Sequence, residues 1–435
     1  MMSPKRSRVR WFLIGWLFVL SAVAFLDRVN ISIAKVSLAT AYHLDDIHVG
    51  WIFSAFLIGY AVFQTPGGRL ADKLGPRRVL AAGVIWWGVF TALTALVPSG
   101  IAGSLMLLVA VRFLLGAGEA VMYPASNQFV ARWIPDNERG IANGWIFAGV
   151  GAGAGLSPPL ITYVMVHYGW RTSFWICAVI GLIAGTVWFI VARDNPEQHA
   201  SVSGAELEFI RNGISSGKPV ESAALISWWS ILKSREVWAI TVSYFTFGYV
   251  AWIFFSWFFT YLVQVRNLNL KSSAFYGMLP FLAMAVACPI GGVISDWLTE
   301  KVNARVGRCY LAAFAIAAAG VFLVLGAEAH EAQLASIVLA GGAGALYLAQ
   351  SSFWSVTAGL AGSSSGSVSG FMNMGAQVGG AVTASLTPAI AAHFGWTASF
   401  ITAAVLCVIG AFAWMIVDPQ RAIAVAPGAT AAQTS

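Results

Sequence analysis

Hydrophobic residues fill 58% of the 435 positions and charged residues only 10%, against roughly 25% charged in soluble domains. A water-soluble fold of this make-up would expose a large apolar surface, so the ordinary soluble classes are excluded and lipid becomes the natural solvent. The net charge of +7 needs no nucleic-acid partner, because the basic residues are distributed asymmetrically about predicted membrane spans.

A membrane-crossing helix takes about 20 mostly apolar residues. Such runs recur at 11–34, 49–67, 79–97, 101–125, 140–165, 171–192, 236–262, 273–295, 308–326, 333–357, 366–391 and 394–417. They predict an all-α membrane protein of twelve spans. With both termini in the cytoplasm, only Lys35, Arg171, Arg266 and Lys271 of the 25 basic residues fall outside, and only Arg28 and Arg112 fall within spans. That is the positive-inside pattern. The start imitates a signal peptide, with Lys5, Arg6, Arg8 and Arg10 before an apolar run ending in Ala22-Val23-Ala24. Cleavage there would delete most of span 1 and strand Asp27 and Arg28, so the segment is expected to stay.

Span 4 carries Gly116 and Gly118, which predict a close approach to span 1 around its charged residues. Span 5 holds a glycine-rich run from Gly149 to Pro159, read as tight packing. Cys177, Cys288, Cys309 and Cys407 are scattered through apolar sequence without metal spacing, and the histidines lie in loops or at span ends. Neither a metal nor a cofactor is expected.

The chain repeats itself. His167-Tyr168-Gly169-Trp170 and Ser173-Phe174 return as His393-Phe394-Gly395-Trp396 and Ser399-Phe400. At the same offset Gly140, Gly144, Gly149 and Gly153 pair with Gly366, Gly370, Gly375 and Gly379. Gly68 and Asp72 likewise recur as Gly292 and Asp296. Residues 1–192 and 236–417 are therefore read as two pseudo-symmetric six-helix halves, an arrangement that places a transport site between them near the bilayer midplane. Residues 193–235 form a cytoplasmic central loop. There Ser203-Gly204-Ala205-Glu206 has capping-box form and predicts a short helix near 204–212. The stretch 418–435, rich in Ala, Pro, Thr and Gly, reads as a disordered tail.

Four charges stand where charge is costly. Asp27 and Arg28 in span 1, and Arg112 and Glu119 in span 4, lie deep in apolar sequence, at roughly 2.5–3.5 kcal/mol each on insertion scales. Such groups pair, face a wet cavity or serve a mechanism. Arg112 and Glu119 share a helix face about 10 Å apart, too far to bond each other directly, with Arg112 expected mid-membrane and Glu119 nearer the cytoplasm. Asp27 and Arg28 diverge by about 100°, so one can face the cavity while the other faces span 4. Two buried salt bridges that merely fix packing are the bland alternative. The functional one assigns the substrate carboxylate to the planar fork of Arg28. It has Arg112 assist or hold Glu119 ionised, and gives Asp27 and Glu119 the proton. The second half carries no charge deep in its spans. It offers Gln350, Ser351, Trp354 and Asn373, joined by Tyr60 of span 2, as partners for substrate hydroxyls.

Gly68-Arg69-Leu70-Ala71-Asp72-Lys73-Leu74-Gly75-Pro76-Arg77-Arg78 resembles the 2–3 loop signature of the major facilitator superfamily. The resemblance implies the major facilitator fold and a cytoplasmic gate. Gly68, Asp72, Lys73, Gly75, Arg77 and Arg78 would build it together with Gly292 and Asp296, and Asp72 would latch helix ends. Phe25 to Ser32, Arg112 to Glu119 and Ser203 to Arg211 resemble more narrowly the anion:cation symporter family, which includes bacterial sugar-acid transporters and is related to sialin and vesicular glutamate carriers. That likeness implies proton sites at Asp27 and Glu119, anion contact at Arg28, and a bacterial cytoplasmic (inner) membrane location. Phe25 stands where sugar-acid members often carry tyrosine. Span 7 lacks the arginine of the vesicular carriers and span 2 their histidine, which argues against a glutamate-type substrate.

The expected function is proton-coupled symport of a small organic anion, a sugar acid such as an aldonate, aldarate or hexuronate, by a functional monomer. An aromatic carboxylate is the alternative, because Phe25 makes the cavity less polar. A drug-exporting antiporter is disfavoured, since span 5 lacks the Gly-Pro-x-x-Gly-Gly form. An enzyme is disfavoured too, for want of a nucleophile or histidine cluster.

Overall fold

Glycines at positive φ punctuate the chain where apolar helices must reverse. Gly169 (φ 85°, ψ 159°) and Gly395 (φ 85°, ψ 162°) end helices with nearly the same backbone geometry. The repeat seen in the sequence is thus repeated in conformation, at an angle that a side chain would strain. The computed structural model describes residues 7–214 and 225–423. Lys5, Arg6, the middle of the central loop and the tail from 424 onward lie outside the described residues. Among those described, ten helices are long and apolar enough to cross a membrane. The last, Ala332–Ile416, is broken at Gly362–Ser364 and at Gly395 into three passes, which gives the twelve spans expected. An even number brings both chain ends to one face, called here the termini face.

Several spans run past their predicted ends. Span 1 is Val9–Tyr42 and span 2 is Asp46–Leu74, with span 3 beginning at Pro76. The signature read as a loop is therefore the last turns of span 2, and the turn itself is Gly75 alone. Span 4 extends over Ser104–Trp133, because the polar stretch Ser126–Arg132 is buried against the other half instead of leaving the membrane. Glu119 thus sits at mid-helix and Arg112 nearer the distal face, a correction to the expected depths. Gly116 and Gly118 also face elsewhere than expected. A Cβ at Gly116 would strike the Phe56 carbonyl of span 2, and one at Gly118 the Trp86 ring of span 3. The span 5 glycines do pack tightly, Gly149 and Gly153 on span 1 and Gly151 on span 8.

Among the described residues three spans are discontinuous, two of them near the middle. Span 4 breaks at Ala120–Val121 into Ser104–Glu119 and Met122–Trp133; Pro124 supplies no N–H for the Ala120 carbonyl, which favours a break there. Span 10 breaks at Ala349, between Ala332–Leu348 and Gln350–Ala361. Span 7 breaks at Trp257, between Arg235–Ser256 and Phe258–Gln264.

The central loop forms its expected helix, Gly204–Gly213, with the Ser203 hydroxyl accepting from the Glu206 N–H at 3.3 Å. That helix is docked rather than simply tethered. The Glu206 carboxylate is fully buried and accepts from Ser7 Oγ, from Val9 N at 3.2 Å and from Arg10 NH1 at 2.8 Å. In return Ser7 Oγ accepts from Ser203 N at 2.8 Å. The two helices cap each other.

Candidate functional site

A cavity lies between the halves, walled by spans 1, 2, 4 and 5 on one side and 7, 10 and 11 on the other. Among the described residues Arg28 is the one charged residue on its wall. Its guanidinium carbon stands 4.3 Å from the Tyr60 ring centre, 4.8 Å from Phe25 and 5.6 Å from Phe56. Rings at these distances stabilise a cation that has left water. Nε donates to Glu119 Oε1 at 2.6 Å, while Arg28 NH2 and Glu119 Oε2 are buried without a partner among the described residues. Arg28 therefore does both jobs that the sequence divides between two neighbours: it faces the cavity and it meets span 4.

Asp27 points away. It is 3% exposed, and its Oδ2 accepts weakly from Thr91 Oγ1 of span 3 at 3.4 Å while Oδ1 has no protein partner. Cys177 of span 6 lies beside it, and Arg112 and Glu119 are its charged neighbours. Arg112 is 2% exposed, off the cavity wall, with its guanidinium 4.8 Å from the Phe56 ring. The Phe56 ring thus touches both arginines. Two cations and two carboxyls share one buried cluster, and only Arg28 presents itself to a solute.

Of the neutral candidates, Tyr60, Gln350 and Asn373 line the cavity, whereas Ser351 and Trp354 are buried behind it. Asn373 Nδ2 donates across the halves to Gln64 Oε1 at 2.9 Å. Gln350 Nε2 and Trp354 Nε1 both donate to the Tyr244 hydroxyl, at 2.8 and 3.1 Å. Aromatic residues dominate the rest of the wall: Tyr123, Phe147, Phe247, Trp252, Phe255 and Tyr347. Phe25 meets Phe255 across the halves at 5.7 Å. Trp257 is not on the wall; it packs toward Trp396 at 6.4 Å. Tyr123 and Phe147 escape sequence reasoning, since an aromatic in an apolar span looks like any packing residue. Pro124 next to Glu119 was the available signal that the chain bends there.

Toward the termini face the halves are joined. Asp72 Oδ1 accepts from Gly366 N and Oδ2 from Ser367 N, each at 2.9 Å, at the start of span 11. Asp296 repeats the arrangement, accepting from Gly140 N at 2.9 Å and Ile141 N at 2.7 Å at the start of span 5. A carboxylate at a helix N-terminus is held by both the free amides and the dipole. Arg308 adds a bond to Asp296 at 2.5 Å and another to the Asp136 carbonyl at 3.0 Å. Gly68 and Gly292 permit these approaches: a Cβ on either would run into the carbonyl of Gly366 or Gly140. Of the other signature residues, Arg69 is a charged neighbour of Asp72 and donates to the Ile226 carbonyl at 2.9 Å, while the rest make other contacts. Arg77 donates to the Phe189 carbonyl and its own N–H goes to Asp194, Gly75 turns against Asp194, and Lys73 and Arg78 are exposed. Asn127 to Thr357 at 3.0 Å and Gln128 to the Ser363 carbonyl at 3.0 Å continue the seam.

Among the described residues, no group of three or more His, Cys, Asp or Glu side chains is placed to hold a metal ion.

Residues 17–384 match the family described as Major Facilitator Superfamily. A probable sulfoacetate transporter of Cupriavidus necator is 30% identical over 417 residues, covering 95% of each chain. A probable galactarate/D-glucarate transporter of Bacillus subtilis is 30% identical over 307 residues, 69% of this chain and 67% of that protein. Among solved structures, the proton:xylose symporter XylE bound to 6-bromo-6-deoxy-D-glucose superposes with a TM-score of 0.70 over 92% of this chain and 94% of that one, at 15% identity. That last likeness is one of fold.

Proposed function

The chain belongs to the Major Facilitator Superfamily, and from that premise we propose that it carries a small organic anion into the cell together with protons, by alternating access. A sugar acid, namely an aldonate, aldarate or hexuronate, is the favoured cargo. The protein is a multi-pass membrane transporter and not an enzyme.

One observation carries the reading: among the described residues, the only charge on the wall of the central cavity is a guanidinium with part of its fork unpaired. A carboxylate can be met there by charge-assisted, planar donation. Two similar proteins, named for sulfoacetate and for galactarate/D-glucarate, support an anionic cargo. Because Arg28 also holds Glu119, an arriving anion competes with Glu119 for it. Glu119, released into a water-poor cluster, then favours its protonated form. Asp27 shares the cluster and serves as the second proton site, with Arg112 holding the local charge balance. Anion and proton then move together. Both termini are assigned to the cytoplasm of a bacterial inner membrane, because the basic residues crowd the termini face. In this arrangement the Asp72 and Asp296 contacts close the cytoplasmic gate, and rocking of the halves opens it. The aromatic wall favours a second reading, an aromatic carboxylate that stacks on Phe25, Phe147 and Trp252.

The test is uptake into proteoliposomes of a panel of aldonates, aldarates, hexuronates, aromatic acids and sulfoacetate, with and without an inward proton gradient. At least one member should accumulate only with the gradient. Failure of every anion to enter, or entry unaffected by Arg28→Lys, rules the proposal out.

A further inference from the structure

We infer that Tyr244 and Gln350 form a subsite that recognises a hydroxyl group on the transported anion, so that the cargo is a hydroxylated carboxylate; this rests on the reading that Arg28 takes the carboxylate. Tyr244 is 3% exposed and its ring is fixed, stacked on Phe247 at 5.1 Å and leaning on Phe353 at 4.6 Å. Its hydroxyl is held at the cavity wall beside Gln350. An indole nitrogen can only donate, so the Trp354 bond at 3.1 Å occupies one lone pair of the Tyr244 oxygen. Gln350 Nε2, at 2.8 Å, occupies the other. The Tyr244 O–H must then find its acceptor elsewhere, while Gln350 Oε1 is buried without a protein partner. One donor and one acceptor stand side by side.

Turning the Gln350 amide over does not change that count. With Oε1 toward Tyr244, the phenol donates to it. The open groups become the second lone pair of Tyr244 and the amide N–H groups of Gln350. In either orientation the pair offers at least one hydrogen and asks for at least one. A hydroxyl answers both demands at once. A methylene answers neither and leaves two buried polar groups unpaired, which is how a polar site rejects an analogue lacking the group. A carboxylate, an acceptor only, satisfies half of it. The subsite also has mechanical meaning. Arg28 belongs to the first half and Tyr244 and Gln350 to the second, and Trp354 packs on Phe147 of the first at 4.9 Å. A hydroxy acid held at both poles ties the halves together, which a simple acid cannot do.

The experiment is isothermal titration of the purified full chain with carboxylates that differ by one hydroxyl: 4-hydroxybutyrate and butyrate, 5-hydroxyvalerate and valerate, 4-hydroxyphenylacetate and phenylacetate. In at least one pair the hydroxy acid should bind about tenfold more tightly, the scale of a hydrogen bond in a buried site. Tyr244→Phe and Gln350→Met should each bring that pair to within about twofold, chiefly by weakening the hydroxy acid. Retained binding of the unhydroxylated acid reports a folded variant. A preference that survives both substitutions overturns the subsite. So does the absence of any preference in a protein whose carboxylate binding is lost with Arg28→Ala; the Arg28 reading then stands. Carboxylate binding indifferent to Arg28→Ala, or no binding at all, overturns that reading and the subsite with it.

Discussion

Arg28 meets Glu119 through Nε alone, 2.6 Å from Oε1, and the guanidinium is flanked by the Tyr60 and Phe25 rings. The contact is one-edged, so the arginine can hold its partner and still address a solute. Lysine would keep the charge but has a single ammonium, which cannot serve Glu119 and an anion in one plane. Arg28→Lys should therefore weaken anion binding by roughly ten- to hundredfold, the loss of one charge-assisted hydrogen bond. Titration calorimetry reads it directly. Wild-type affinity in the lysine variant would remove Arg28 from the binding site.

Glu119 and Asp27 should behave differently on substitution, because only Glu119 competes for Arg28. Glu119→Gln retains an acceptor for Nε but neither charge nor titratable proton. It should leave anion exchange measurable while abolishing accumulation driven by a pH gradient. Asp27→Asn should also abolish accumulation, yet weaken anion binding less than Arg28→Lys does, since Asp27 makes no contact with the cavity and reaches Arg28 only through the shared cluster. Counterflow assays separate the two. A large loss of anion affinity in Asp27→Asn would contradict the placement of that carboxylate away from the solute.

Much of this arrangement can be read from the residues, and the exceptions have physical causes. Spans and repeat are visible because a lipid-facing helix must be apolar along its length and because Gly169 and Gly395 need the same unusual φ. The four charges are visible because nothing else in the spans resembles them. The inner end of span 4 is not. Asn127 and Gln128 look like residues leaving the membrane, but their partners Thr357 and Ser363 come from the other half, and no local pattern announces a partner more than 200 positions away. The choice between Asp27 and Arg28 as the cavity residue is equally hidden, since adjacent positions on a helix offer both directions until the neighbours are known. The signature around Asp72 points to the right carboxylate and to a helix end as its partner, but not to which helix: the amides of Gly366 and Ser367 belong to the other half.

The two latches are related by the internal repeat, Asp72 on span 2 capping span 11 and Asp296 on span 8 capping span 5. Both hold the same rigid-body seam, so both bias one equilibrium. Asp296→Asn removes a charge opposed by Arg308 as well as a helix dipole, and should favour the open termini face by about 1.5–3 kcal/mol. Asp72→Asn should act in the same direction but less strongly, and the double variant should add because the sites are separate. Spin-label distances between spans 2 and 11 at the termini face should lengthen in that order. An unchanged distribution in the double variant would show that the carboxylates do not hold the seam.

Glu206 offers a test of the central loop that leaves the cavity untouched. Its carboxylate is fully buried and binds Arg10 at 2.8 Å, and Arg10 in turn reaches Glu138 at 2.9 Å. All three belong to the first half and its attached loop helix, so their contacts need not break when the halves rock. Removing one partner of a buried pair costs roughly 3–5 kcal/mol, and Glu206→Ala also uncaps the first turn of span 1. Two consequences should appear together: protease cutting within 193–235 becomes faster and the melting temperature in detergent falls, while the anion dissociation constant stays within about twofold. Ser203→Ala, which removes only a neutral cap, should lower stability by about 1 kcal/mol. If Glu206→Ala changed anion affinity as much as Arg28→Lys, the loop helix would have to be counted as part of the transport cycle and not only as an anchor.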